Sequence, residues 1–338
     1  MKTKSVFAFT IFALTSAFAQ LPIDTMRAVI VREYGGPEVL KLEDTPLVQP
    51  KENEIRVRVI AAGVNPVDGL IRSGKFAKFF NTTLPLVPGY DIAGVVEKPG
   101  AKIRNFKKGD AVYAYIDLKK GGGYAEYAFV TEKETALKPK SASFIEAAAV
   151  PVVALTAWQA LVDTAKLDAG QSVLIHGGSG GVGSFAIQIA KLRGAKVFAT
   201  ASTVNQGFLK QIGADVAIDY TKQKFEDVAK DVDVVLESVG KDTLARSYGV
   251  VKKGGMIVSL LGPPDQSELD KHGIRGAALG VEPNSTELAE IGKLIDEQKI
   301  KVIVSQTFPL SEAINAQQQA DTGHTRGKIV LKVADEPK

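Results

Sequence analysis

Apolar and polar positions along the chain follow two regimes. From Met26 to about Val150 they alternate in short runs broken by turn residues, the period of half-buried strands. Residues 27–32 read as one strand, 54–62 as another with Ile55, Val57 and Val59 on one face, and 91–97 as a third. Turns are expected at 34–37, 98–100, 107–110 and 121–123, where glycine and proline cluster. Ser143 with Glu146 forms a capping box opening an alanine-rich helix through Val150, and residues 155–161 continue as a second helix beyond Pro151.

Beyond that point strand and helix alternate. Strands are expected at 172–176, 195–200, 215–219, 232–237 and 255–260, with helices at 183–193, 204–212, 224–230 and 242–250. Such alternation predicts an α/β fold with a doubly wound parallel sheet. Asn284 caps a last long helix through Gln298. The tail returns to a strand at 301–308, a short helix from Ser311 and a strand at 328–333, which most simply pairs with the first domain. The expected division is therefore a β-rich domain of residues 26–150 and 299–338, made discontinuous by a nucleotide-type domain of 151–298.

One stretch organises the second domain. Residues 172–176 run as a buried strand into Gly177-Gly178-Ser179-Gly180-Gly181-Val182-Gly183, which fits G-x-G-x-x-G on Gly178, Gly180 and Gly183 and equally G-x-x-G-x-x-G on Gly177, Gly180 and Gly183. The glycines permit a tight turn, close approach of backbone to a pyrophosphate, and close packing of helix on strand, with the helix N-terminus facing the anion. Gly178, Ser179, Gly180, Gly181, Val182 and Gly183 are the expected phosphate-binding residues.

Composition narrows the chemistry. The 338 residues are 45% hydrophobic and 24% charged, an ordinary globular composition. The formal charge is +4; omitting residues 1–19, which hold Lys2 and Lys4 and no acid, leaves 40 basic against 38 acidic residues, or +2. That balance gives no reason to propose a nucleic acid or an anionic membrane as partner. Cysteine is absent, which excludes disulfides, thiolate catalysis and every cysteine-containing metal site. Lys2 and Lys4 precede an apolar run at 6–14, and Ala17-Phe18-Ala19 supplies a signal-peptidase pattern before Gln20. Residues 1–19 are thus expected to direct export and to leave no membrane anchor after cleavage. The competing reading starts the chain at Met26 in the cytoplasm, where nicotinamide nucleotides are kept.

Gly63-Val64-Asn65-Pro66-Val67-Asp68, Ile71-Arg72-Ser73-Gly74, the run from Pro85 to Val96, Gly109-Asp110-Ala111-Val112, Gly122-Gly123-Tyr124-Ala125-Glu126-Tyr127 and Gly323-His324-Thr325-Arg326-Gly327-Lys328-Ile329-Val330-Leu331 occur in this order. Together they resemble the medium-chain dehydrogenase/reductase superfamily, and within it the zinc-independent quinone oxidoreductases, or zeta-crystallin group, with the related alkenal/enone reductases. The resemblance implies a GroES-like catalytic domain joined to a Rossmann domain, with the active site in the cleft between them. Zinc alcohol dehydrogenases of the same superfamily carry a ligand cysteine where this chain has Asn65 and a His-Glu pair where it has Tyr90-Asp91. No metal ligand set is therefore expected, and alcohol oxidation with a Lewis acid gives way to hydride transfer onto an electron-poor acceptor.

The implied function is NADPH-dependent reduction of a small-molecule quinone or α,β-unsaturated carbonyl. Asn65, Tyr90 and Asp68 are the expected catalytic residues: the Asn65 amide beside the acceptor oxygen, Tyr90 as a donor in the cleft, and Asp68 in an orienting pair with Arg72. Thr156 matches a position beside the nicotinamide, and Ser238, Gly240, Leu261 and Gly262 match loops that approach the two halves of the cofactor. Ser202 ends the second strand where NAD enzymes hold an acid, and Tyr220 matches a position beside the 2′-phosphate of NADP. Relatives commonly carry a lysine where this chain has Asn205, and commonly form homodimers. Enoyl-thioester reduction, and a non-catalytic NADP-binding or crystallin-like role, are the alternatives.

Overall fold

The computed structural model describes residues 24–240 and 242–337; the segment read as an export signal lies outside them. Strands β1 (Thr25–Val31) and β2 (Leu40–Pro46) form an antiparallel pair. They are followed by β3 (Ile55–Val64), β4 (Asp91–Pro99), β5 (Ala111–Tyr115), β6 (Tyr127–Val130) and β7 (Thr135–Leu137). Near the C-terminus come β14 (Val304–Pro309) and β15 (Lys328–Lys332), and one sheet runs β14-β15-β3-β4-β5-β7 with β6 also paired to β3. Nearly every residue of β3 is buried, on both faces, so its apolar run does not alternate cleanly. The last strand of the chain thus pairs with an early one, Val330 opposite Gly63.

The second sheet is parallel. Its strands β8 (Ser172–Ile175), β9 (Lys196–Ala201), β10 (Val216–Asp219), β11 (Val232–Glu237), β12 (Val251–Ser259) and β13 (Arg275–Ala278) lie in the order β10-β9-β8-β11-β12-β13. The order reverses between β8 and β11, which opens a crevice at their carboxyl ends where dinucleotides bind in such folds. The chain is thus a mixed α/β fold with a GroES-like sheet and a Rossmann-like sheet.

The helix Pro151–Trp158 begins on a proline, whose missing N–H costs nothing at that position. It is buried in all but its last residue and packs on the helix Gly181–Leu192, where a Cβ on Gly181 would press on Val153. The helix expected at 224–230 is only a 3-10 turn, Phe225–Asp227, whose Phe225 ring lies under the Arg246 guanidinium and meets the His176 ring edge-on. The helices Pro66–Arg72 and Gln266–His272 and strand β13 escape a reading by periodicity. The two helices have seven residues each and β13 four, windows too short for a period to register.

Candidate functional site

The glycine turn behaves as its residue types demand. Gly177 sits at φ +66, and a side chain on Gly183 would lie 2.3 Å from the Gly177 carbonyl oxygen. A Cβ on Gly178 would press on Ala199 of β9 at 3.0 Å, and one on Gly181 on Val153 at 2.9 Å. Helix Gly181–Leu192 starts at Gly180 with no side-chain cap, so its first N–H groups stay free for an anion. The loops after β11 and β12 close on this turn. A Cβ on Gly177 would stand 3.1 Å from Ser238 Oγ, and one on Gly240 2.8 Å from Leu261. Gly262, at φ +130, follows in open space. Ser238, Gly240, Leu261 and Gly262 therefore gather with the glycine turn at one end of the sheet.

Beneath the turn lies His176, 1% exposed. Its Nε2 is 3.1 Å from Ser247 Oγ, and that hydroxyl donates to the Thr243 carbonyl at 2.7 Å. Ser247 must therefore accept, which puts the ring proton on Nε2 and leaves Nδ1 to accept from Thr200 Oγ1 at 3.2 Å. Thr200 in turn accepts from the Gly177 N–H at 3.3 Å. Burial, helped by the nearby Arg246 charge, lowers the His176 pKa to about 3. The imidazole is a neutral support for the turn.

The other lobe meets the turn along β15. The Gly327 N–H donates to the Ser179 carbonyl at 2.8 Å. The neighbouring Lys328 stem passes 3.1 Å from where a Gly181 Cβ would stand. Its ammonium, 4% exposed, donates to Asn65 Oδ1 at 2.5 Å, the Val64 carbonyl at 2.8 Å and Asp91 Oδ2 at 3.1 Å. Asp91, wholly buried, also accepts from Asn65 Nδ2 at 2.8 Å and from the Val152 N–H at 2.6 Å. Its carboxylate thus caps the helix Pro151–Trp158 at the positive end of the helix dipole. Lys328 and Asp91 stood inside motifs quoted above, but only their convergence on Asn65 marks them as site residues.

The expected catalytic residues separate. Asn65 is in the network, its orientation fixed by a donor on one side and an acceptor on the other. Asp68 does not pair with Arg72. Its Oδ2 accepts from Tyr124 at 2.5 Å and from the Asn65 N–H at 2.9 Å, whereas Arg72 bonds Gln317, Asp321 and the Gly35 carbonyl. Burial pushes the Asp68 carboxyl up to about 7, against those two bonds and the Lys328 charge. Its Oδ1 has no partner, in keeping with a carboxyl that takes a proton near neutrality. Asp68 has no exposed surface. Tyr90, also buried, makes no side-chain hydrogen bond among the described residues and lines a cavity of about 340 Å³ with Leu86, Val87, Leu118 and Gly121, within the GroES-like lobe.

Two of the expected cofactor contacts also bond locally: the Thr156 hydroxyl donates to the Val152 carbonyl at 2.6 Å, and Ser238 Oγ to the His176 carbonyl at 2.8 Å, which leaves each oxygen able to accept. At the end of β9, Asn205 Nδ2 reaches Ser202 Oγ at 3.2 Å, and Asn205 Oδ1 accepts from Arg326 Nε at 2.8 Å. Arg326 lies over the Phe208 ring at 5.3 Å. Tyr220, 55% exposed, stands at the end of the adjacent β10. A guanidinium from the far end of the chain thus lies where position 205 lacks a cation.

A zinc ion does not fit this donor set. Cysteine is absent, the Asn65 oxygen is taken by the Lys328 ammonium, and the two Asp91 oxygens are taken by that ammonium, the Asn65 amide and the Val152 N–H. Among the described residues no group of three His, Cys, Asp or Glu could hold a metal.

Residues 51–140 match the family model for the alcohol dehydrogenase GroES-like domain, and 212–331 that for zinc-binding dehydrogenases. An NADPH-dependent alkenal/one oxidoreductase of Arabidopsis thaliana is 40% identical over 330 residues, 94% of this chain and 81% of that protein. The quinone oxidoreductase of Mus musculus is 35% identical over 326 residues, covering 90% and 97%. The solved quinone oxidoreductase of Coxiella burnetii superposes with a TM-score of 0.85 at 36% identity, over 92% of this chain and all of that one. Glycine turn, reversed sheet order, buried Asn65 and missing zinc ligands agree with these likenesses: the chain belongs to the medium-chain dehydrogenase/reductase superfamily, in its zinc-independent quinone and alkenal/one oxidoreductase branch.

Proposed function

We propose that this protein reduces quinones and α,β-unsaturated carbonyls with NADPH, without zinc. The observation that carries the reading is the junction of an uncapped, glycine-built helix N-terminus with the Asn65–Lys328–Asp91 network of the opposite lobe. Gly181, Val182 and Gly183 would hold the pyrophosphate on free N–H groups, while the Gly180 N–H closes the turn on the Gly177 carbonyl at 3.0 Å. The bound dinucleotide supplies the hydride. Asn65 has two amide hydrogens, of which Asp91 takes one, so the second is available to an acceptor oxygen on which charge builds. Lys328, bonded to the carbonyl end of the same amide, polarises it and makes that N–H a stronger donor.

Steady-state turnover with a panel of quinones, enones and enoyl thioesters tests this. Turnover of quinones and enones that survives exhaustive chelation is the expected result. Activity confined to thioesters, absent altogether, or lost together with stoichiometric zinc would defeat the reading.

The preference for NADPH rests on Ser202, Tyr220 and Arg326, with no acid at the end of β9 to repel a 2′-phosphate. A hydrogen bond to a charged group is worth about 1.5–3 kcal/mol, so Arg326→Ala should lower kcat/KM for NADPH by roughly ten- to a hundredfold and leave NADH use nearly unchanged. Tyr220→Phe and Ser202→Ala should act in the same direction, less strongly. Equal losses with both cofactors would show that these residues do not read the phosphate.

We further propose a homodimer, to be checked by sedimentation, and export directed by residues 1–19. Edman sequencing of the mature protein should begin at Gln20. A start at Met26 in a cytoplasmic fraction would replace that reading.

A further inference from the structure

Between Asp68 and Asp91 the chain contains no acidic residue, and the middle of this stretch reads Lys75-Phe76-Ala77-Lys78-Phe79-Phe80. Ala77–Phe80 makes one helical turn, ended by Asn81 in the left-handed region at φ 52. Phe80 is half-buried and packs against the main core. Its ring meets that of Phe79 edge-on at 4.9 Å and that of Phe76 at 5.8 Å. Phe80 therefore anchors the turn while its neighbours are held outward: Phe79 is 78% exposed and Phe76 36%. Lys75 and Lys78 are exposed beside them and form no ion pair among the described residues. Single exposed apolar side chains are ordinary, but three aromatic rings in mutual contact, fixed beside two exposed lysines, point to a contact surface.

Charge decides what covers it. A second copy meeting through this patch would set Lys75 and Lys78 against their own counterparts, a like-charge contact with nothing in the stretch to offset it. An anionic lipid surface offers phosphate groups to the ammonium ions and an interfacial layer into which aromatic rings partition. We propose that Lys75–Phe80 is a peripheral contact with an anionic membrane, Phe76 and Phe79 entering the headgroup boundary and Lys75 and Lys78 pairing with lipid phosphates. The modest charge of the whole chain conceals this because the asymmetry is local: acids elsewhere balance the total, and none lies in this stretch. The contact is independent of the reaction proposed above.

The test uses the full chain carrying Phe79→Trp, read as a difference spectrum against the parent, whose single tryptophan is Trp158. Vesicles containing phosphatidylglycerol should shift the added emission to shorter wavelength, and brominated lipids should quench it; phosphatidylcholine vesicles should do neither. In co-sedimentation with the same vesicles, Lys75→Glu and Lys78→Glu should each weaken binding by about fivefold or more, and Phe79→Ser should weaken it further. The apolar run at 6–14 is common to all variants, so binding equal in parent and variants would overturn the proposal. So would an absent shift, a shift produced by a water-soluble quinone without vesicles, or a change in sedimenting mass that follows Phe79→Ser. Turnover of a water-soluble quinone should be the same in Phe79→Ser as in the parent, which separates failure of this contact from failure of the reaction.

Discussion

Replacing Asp91 by alanine is expected to cost the fold about 3–5 kcal/mol, because it leaves the Lys328 ammonium buried without its counter-charge. The same change strips Asn65 Nδ2 and the Val152 N–H of their acceptor at the start of the helix Pro151–Trp158. Urea unfolding should show the loss as a lower midpoint with an unchanged slope. The milder Asp91→Asn keeps an acceptor but removes the charge, so it should recover only part of the stability. The decisive variant is the double replacement Asp91→Asn with Lys328→Met, which removes both charges at once. Removing a buried pair together is far cheaper than orphaning one member, so the double variant should be more stable than Asp91→Asn alone. A double variant as unstable as the sum of the two single ones would show that the ion pair is not what holds this junction. Both variants should also lose activity, since each disturbs the Asn65 amide.

Acid should weaken the protein through His176 by an amount of similar size. Its folded pKa is lowered to about 3 by burial, against an ordinary value near 6.5 in the unfolded chain. The unfolded state therefore binds the extra proton first as pH falls. Stability from the neutral ring is fully present above about pH 6.5 and is lost as pH drops toward 3, on the order of 4–5 kcal/mol across the window. Asp68 works in the opposite sense. Its folded pKa is raised to about 7, so its contribution is greatest below the unfolded carboxylate value and declines as pH rises through 7. The two partly cancel between about pH 4 and 6.5, so the total profile does not isolate either. His176→Gln removes one titration while keeping a polar side chain between Thr200 and Ser247. The difference in unfolding free energy between parent and variant, followed from pH 8 downward, should shrink steadily below about pH 6.5. A difference independent of pH would mean that the ring is not held neutral.

Much of this molecule was legible before its coordinates. The strands of the parallel sheet fall near their expected places because buried strands bounded by glycine turns leave a strong local signal, and the glycine turn has the conformation its spacing demands. Asn65 was singled out by position and does stand in the network. The pairing of Asp68 with Arg72 was not legible: four residues apart on one helix they are neighbours, yet Tyr124 and Gln317, far away in sequence, outcompete that contact. The local bond of Thr156 was not legible either: its hydroxyl donates to the carbonyl one turn back, as a threonine inside a helix can.

Residue order by itself determined the period of each element, the glycines that allow the turn, the absence of thiolates and hence the absence of a cysteine zinc site. These are properties of single residues and of near neighbours. Only the tertiary structure decided which charges meet. Lys328 is 237 residues from Asp91 and Arg326 is 121 from Asn205, and both pairs form because the last strand of the chain returns to an early one beside the glycine turn. Sheet closure sets those distances, and whether a buried ammonium finds its carboxylate is settled by burial and geometry together, which local pattern does not encode.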